Sequence, residues 1–346
     1  MNHDRAELLK IIESLTPAVS NYNVIPELRL LWFTSAVVRA YDGQLGIEVP
    51  FKLGVDCGLP GDLLAELLAS SNSKSVTFEY TEKRERMLLK FGSARLQLGA
   101  QKSGMIWPFA PSKQVVQVPI TKELIDALTL AVTLKPKRVM RIENQGVIVH
   151  VDDKFFALYA TSDVSNILTL PLDIKNALPH RTMLPFAFCK ELIASSWEGG
   201  TLFVTPDHLM ARCTDRALYS NLLNTSKITD MRKTAEPYLA SQPVAVQMPD
   251  NLLAALARSQ IMGGKDKADV TLEIEDGFLY LAGDFSVGTL DETFALEKSK
   301  HPNALGKFAS AFLIRAMKDA EKFSITKGAL AVYGNTPPFT WLVGGK

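Results

Sequence analysis

The feature that most limits what this chain can fold into is a pattern that returns three times, at a spacing of 121 to 125 residues. An amphipathic helical segment at 59–72 (LPGDLLAELLASSN) leads into three short alternating runs, 76–80 (VTFEY), 87–92 (MLLKFG) and 94–98 (ARLQL). The same order recurs at 188–197 with runs at 201–205, 208–213 and 217–223, and again at 308–320 with runs at 322–326, 329–334 and 339–344. Phe78, Phe203 and Ile325 align at offsets of 125 and 122, and Met87, Leu209 and Leu330 at 122 and 121. A second helix-led series interleaves with the first at 5–15, 121–132 and 249–260, aligning Leu8, Leu124 and Leu252. It too is followed by strand-like runs, at 146–151 and 155–161 and at 270–275 and 278–283. A repeat of this size is one structural unit that buries its apolar face only against its neighbours. The chain therefore reads as an α+β protein of three tandem domains, 1–113, 114–235 and 236–346, each built of two halves in which a helix precedes antiparallel strands.

Local patterning agrees. The six helical segments carry apolar residues at i, i+3, i+4 and i+7, the stripe that one buried helix face requires. Runs such as VTFEY and VTLEIE alternate, so each sheet turns one face to helices and the other to solvent or a second sheet. Two less patterned stretches, 99–114 and 224–243, hold Gly, Pro, Ser and charge and read as interdomain connectors.

Composition excludes several classes. With 47% hydrophobic and 22% charged residues over 346 positions, the chain can bury cores in two to three domains, and intrinsic disorder is excluded. Its 38 Lys and Arg nearly cancel 37 Asp and Glu, so attraction to nucleic acid must come from where the cations sit. Apolar stretches such as 28–33 and 155–160 are far shorter than a membrane span, and the N-terminal residues alternate charge with apolar side chains. Neither a membrane anchor nor a secretory signal is expected. Cys57, Cys189 and Cys213 are widely spaced and form no CxxC, which fits a reducing cytoplasm.

Signals for catalysis are weak. His3, His150, His180, His208 and His301 form no HExxH and have no Cys at ligand spacing. Gly263-Gly264-Lys265-Asp266 resembles the end of a phosphate loop but lacks the Ser or Thr after Lys and the upstream Gly. No enzyme, metal or cofactor is expected.

Three copies of a two-half domain resemble the bacterial sliding clamp, the beta subunit of DNA polymerase III. The resemblance spans the chain and is carried by 59–98, 118–128 (VPITKELIDAL), 155–163 (FFALYATSD) and 183–213, with Ile106-Trp107-Pro108 where the family places an aromatic before Pro. It implies a ring-forming DNA-clamp fold and a processivity factor that encircles duplex DNA without reading sequence. Such a ring tethers a DNA polymerase and clamp loader through short peptide motifs. The family's T-D-G-H-R turn appears here as Thr161-Ser162-Asp163-Val164-Ser165, and its Met-Pro-Met-basic-Leu end is replaced by Leu342-Val343-Gly344-Gly345-Lys346. A divergent, phage-encoded clamp fits these departures.

Helix width sets the stoichiometry. Six helices about 10 Å across leave a hole of roughly 9 Å, whereas twelve leave about 28 Å, enough for a duplex. A head-to-tail homodimer is therefore expected. Its DNA contacts should be mobile cations on phosphates: Lys10, Lys190, Arg258 and Arg315 on the helices, and Lys135, Lys137, Arg138, Lys265 and Lys267 in the loops that follow. Acidic residues outnumber basic ones on the helices themselves. The resemblance further implies a partner-peptide pocket at Thr161, Val164, Ile228, Thr229, Met231, Thr340 and Leu342. It implies a dimer joint that sets Arg95 and Leu96 opposite Ile261, Met262, Asp291 and Glu292. The alternative reading is a scaffold ring that keeps the clamp fold without encircling DNA.

Overall fold

The structure is a computed structural model. It describes all residues except 1, 22–23, 82, 84, 110–114, 136–144, 153–154, 164–165, 173–179, 196, 198, 224–229, 240–244, 265–267, 297–302, 327–328, 336–337 and 345–346. Seven helices occur among the described residues: α1 (Arg5–Leu15), α2 (Gly61–Ser70), α3 (Lys122–Val132), α4 (Phe186–Ala194), α5 (Met231–Leu239), α6 (Leu252–Gly263) and α7 (Ser310–Met317). Six coincide with the helical segments of the repeat. The seventh, α5, lies inside a stretch read as a connector. Its start is set by Asp230, whose carboxylate accepts the backbone N–H groups of Arg232 at 3.1 Å and Lys233 at 3.3 Å, a side-chain cap that satisfies otherwise orphaned donors.

The chain forms two compact units, residues 1–121 with 187–223 and residues 122–186 with 224–346. The division cuts the middle repeat, giving α3 to the second unit and all but the first residue of α4 to the first. Each unit holds one four-stranded and one eight-stranded sheet.

The two eight-stranded sheets share one connectivity. In the first unit the strand order is Cys57–Pro60, Leu30–Phe33, Val37–Tyr41, Leu45–Pro50, Ala217–Asn221, His208–Arg212, Thr201–Val204, Val116–Pro119. In the second it is His180–Pro185, Gly146–Asp152, Phe155–Asp163, Asn166–Pro171, Pro338–Gly344, Ala329–Asn335, Lys322–Thr326, Val246–Gln247. At the centre of each sheet, two sets of strands far apart in sequence meet antiparallel: Leu45 to Glu48 against Ala217 to Ser220, and Asn166 to Thr169 against Thr340 to Val343. The four-stranded sheets run Asn2–Asp4, Ser75–Thr81, Arg86–Phe91, Ala94–Gly99 in the first unit and Gly288–Ala295, Phe278–Phe285, Asp269–Glu275, Ala304–Ala309 in the second.

The repeat positions are core positions. Leu8, Leu124 and Leu252 are buried on their helices, and Met87, Leu209 and Leu330 are buried on their strands. One alignment needs correction. Leu209 pairs with Val204 and Leu330 with Ile325, so the partner of Ile325 in the repeat is Val204, and Phe203 matches Ser324. A slip of one residue moves a side chain to the other sheet face, and Phe203 accordingly points away from the core that Ile325 joins.

Truncating a buried leucine loses its transfer free energy and leaves a cavity. Leu209→Ala and Leu330→Ala should each lower unfolding free energy by about 2–5 kcal/mol, read as a shift in urea midpoint.

Candidate functional site

At one end of each four-stranded sheet lies a strand whose outer edge is unpaired among the described residues. In the first unit that strand is Ala94–Gly99, where Arg95 and Leu96 are exposed and Leu98 is buried. In the second unit it is Gly288–Ala295, where Asp291 is exposed and Glu292 half-buried. The end of α6 lies beside this edge: a Cβ on Gly288 would meet Met262 Cε at 3.7 Å, and Ile261 is 84% exposed. Ile261, Met262, Asp291 and Glu292 thus belong to one corner of the unit. Arg258 joins them, because its Nε and Nη2 donate to the two carboxylate oxygens of Glu292 at 2.8 and 2.6 Å. That fork raises the Arg258 pKa still further, and it ties an expected phosphate ligand to an expected joint residue. Sequence spacing could not show this pairing, which crosses from a helix to a strand 34 residues away.

The remaining expected DNA ligands divide between the units. Lys10 on α1 and Lys190 on α4 are exposed in the first; Arg315 on α7 and Lys135 just after α3 are exposed in the second. Lys137, Arg138, Lys265 and Lys267 lie outside the described residues. Among the described residues no group of three His, Cys, Asp or Glu side chains could hold a metal ion, and no helix is long and apolar enough to cross a membrane. Burial pushes the Cys57 thiol up to about 12, with Asp56 adding to the effect, so it stays protonated and unreactive.

The expected peptide pocket falls on the eight-stranded sheet of the second unit. Thr161 sits at a register shift in the pairing with Asn166–Pro171, Thr340 is half-buried, and Val164, Ile228 and Thr229 lie outside the described residues. Leu342 and Met231 are 4% and 8% exposed. Leu342 packs with Ala331 beneath Ala235 of α5, and Tyr333 closes the cluster. Leu342 is thus covered by the chain's own helix, to which Met231 belongs. The Asp230 cap, with Met231 and Ala235 at i and i+4, is the signal that marks α5 in the sequence; Pro237 inside the segment obscured it.

The matching face in the first unit is covered differently. Trp107 and Phe109, from the first connector, lie over Tyr219: Phe109 stacks on it at 4.9 Å and Trp107 meets it edge-on at 5.0 Å. Gly46 makes this approach possible, since a Cβ there would stand 2.6 Å from Phe109. Arg39 lies over the Trp107 ring at 4.9 Å and pairs with Glu48 at 2.6 Å. His208, also against Phe109, is buried, with Nδ1 3.2 Å from the Thr205 hydroxyl. Burial lowers its pKa below 6.5, against a smaller opposing effect from Asp207. Ile106-Trp107-Pro108 pointed to this place in the sequence; Phe109, His208, Tyr219 and Arg39 carried no signal, because only the sheet pairing gathers them.

No family model matches the sequence, and no curated protein matches it. Solved structures match over the full length. A DNA polymerase sliding clamp from Pseudomonas aeruginosa, solved with a ligand, superposes with a TM-score of 0.85 at 16% identity, covering 100% of this chain and 99% of that one. The sliding clamp of Caulobacter crescentus gives 0.84 at 18% identity, covering 100% and 98%. That of Bacillus subtilis gives 0.82 at 14% identity, with the same coverage. The chain has the sliding-clamp fold from end to end, and at these identities the fold is what is shared.

The buried His208 favours its neutral form in the folded state, whereas the unfolded chain titrates near 6.5. Its contribution to stability is complete above that value and is lost as pH falls from there toward the depressed folded pKa. Thermal melts of the wild type should therefore drop more steeply below about pH 6.5 than melts of His208→Gln. Parallel pH profiles would rule the effect out.

Proposed function

We propose that the chain is a DNA sliding clamp: two copies join head to tail into a ring that surrounds duplex DNA and tethers a polymerase without chemistry of its own. The observation that carries this reading is that a four-stranded sheet in each unit ends in a strand whose outer edge is unpaired among the described residues, Ala94–Gly99 in one and Gly288–Ala295 in the other, in a chain with the clamp fold along its whole length. The edge bearing Arg95 and Leu96 would pair with the edge bearing Asp291 and Glu292 of a second copy, with Ile261 and Met262 supplying apolar contact. Backbone groups left open at a sheet edge are a template for another strand, and apolar area then supplies most of the affinity.

In the ring, Lys10, Lys135, Lys137, Arg138, Lys190, Lys265, Lys267 and Arg315 would meet phosphates, with Arg258 shared between DNA and Glu292. Contacts of that kind hold a duplex without reading it and weaken as salt rises. The three repeats, 1–113, 114–235 and 236–346, are the domains of this ring, and the cytoplasm is its place of work. A polymerase or loader peptide would bind at Thr161, Val164, Ile228, Thr229, Met231, Thr340 and Leu342, and to reach Leu342 it would have to lift α5.

The test is topological. In the presence of a bacterial clamp loader, the protein should stay on nicked circular DNA and leave once the circle is linearised, and Lys137→Glu with Arg138→Glu should shorten retention as salt rises. Equal retention on both forms, or none on either, would point instead to the scaffold reading. Sedimentation should show a dimer at micromolar concentration, and Leu96→Glu should shift it toward monomer by roughly tenfold in dissociation constant or more.

A further inference from the structure

The two eight-stranded sheets allow a residue-by-residue comparison of their outer faces. In the second unit, Ser324, Ala331, Leu342 and Ile167 stand side by side across four strands. In the first, the same row is Phe203, Met210, Tyr219 and Gly46. Ala331 and Leu342 lie under α5 through Ala235. Among the described residues, no helix lies above their counterparts Met210 and Tyr219. Trp107 and Phe109 pack on the Tyr219 and Gly46 end of the row. Among the described residues, the other end, floored by Phe203 and Met210, forms a cleft of about 450 Å³, in the size range of ligand sites, and both residues are part-exposed.

Charge at the rim narrows what could enter. The Glu48 carboxylate is held by Arg39. Arg212, two residues from Met210 on the same face, is exposed on the cleft wall and makes no ion pair among the described residues. The open end thus offers an aromatic and thioether floor beside a guanidinium, a setting that suits an apolar side chain next to a carboxylate.

We propose that this cleft is a second peptide-docking site, on the first unit, for a short segment of a protein partner that carries an aromatic or aliphatic anchor beside Asp or Glu. The chain itself shows what this sheet face takes: α5, a nine-residue amphipathic segment, lies over the equivalent row. In the first unit the partner supplies from outside what α5 supplies from within. The anchor fills the space over Met210 and Phe203 against the Trp107 edge, and the carboxylate meets Arg212. This site does not depend on DNA encirclement.

Trp107 provides the readout. Of the four tryptophans, Trp32, Trp197 and Trp341 are buried, at 5%, 2% and 0% exposure, and Trp107 alone is half-exposed. Quenching by acrylamide therefore reports on the cleft. The full-length protein is panned against a phage-displayed library of random short peptides, and the enriched sequences are synthesised and titrated in the absence of DNA. The expected pool pairs an aromatic, Leu or Met with a neighbouring acid, and its peptides shield Trp107 from acrylamide. Met210→Glu should abolish this binding, and Arg212→Glu should weaken it by roughly tenfold. Both positions are solvent-accessible, and circular dichroism melts identify any variant that fails to fold. Phe203→Ser, which matches the residue of the second unit, then replaces it. The proposal is overturned by a pool with no such pattern, by peptides that leave Trp107 quenching unchanged, or by binding that folded Met210→Glu and Arg212→Glu retain in full.

Discussion

Everything in this molecule depends on the two antiparallel seams at which strands from separate repeats complete one sheet. Leu45 to Glu48 against Ala217 to Ser220, and Asn166 to Thr169 against Thr340 to Val343, are contacts between segments more than 160 residues apart. An isolated half would expose a strand edge and half an apolar face, which is unstable and prone to pair with other chains. Fusing halves at the seams removes both liabilities at once. It also explains why the compact units cut across the repeat: each unit is what the seam joins, and the middle repeat contributes one half to each.

Much of the fold is legible in the sequence because burial imposes period. Six of the seven helices among the described residues are legible from their apolar stripes, and the aligned Leu8, Leu124 and Leu252 are core residues. Strands whose alternation was clear were placed to within a residue or two. Short strands such as Leu30–Phe33 and Cys57–Pro60, buried throughout or nearly so, show little alternation and so escape a period-two reading. The slip between Phe203 and Ile325 has a related cause: both are large and apolar, and only the ladder reveals that they serve opposite faces. Helix α5 was hidden by Pro237, a residue that argues for a connector, although the Asp230 cap and the Met231 and Ala235 spacing argue for a helix. Surface chemistry was least legible, since Arg258 and Glu292, or Trp107 and Tyr219, meet only through tertiary structure.

One scaffold therefore carries two unlike surfaces. In the second unit small residues, Ser324 and Ala331, let a helix approach the sheet, and the apolar row is closed. In the first unit Phe203 and Met210 hold any covering segment higher, and the connector responds with flat aromatic rings laid over the one position, Gly46, that has no side chain. Residue size along a single row decides whether the sheet is roofed by its own chain or left partly open. The buried His208 sits at the back of the open face, where desolvation keeps it neutral and its hydrogen bond to Thr205 fixes a tight turn between strands.

The proposed joint between copies follows from the same economy of local charge. With a net charge of +1, the chain has no long-range field to steer assembly, so orientation must be set at the edges. Arg95 is exposed on one open edge and Asp291 on the other. Pairing two copies of the same edge would set like charges near one another, an arrangement that costs stability across strands, whereas pairing unlike edges sets Arg95 toward Asp291. Solvent screening keeps either term small. Its weight lies in the comparison, because backbone pairing is available to both arrangements whereas the charges favour the unlike one. A contact between unlike edges also leaves each copy with its other edge free, so association continues until the ends meet. Closure into a ring, in this reading, leaves neither of these two edges open.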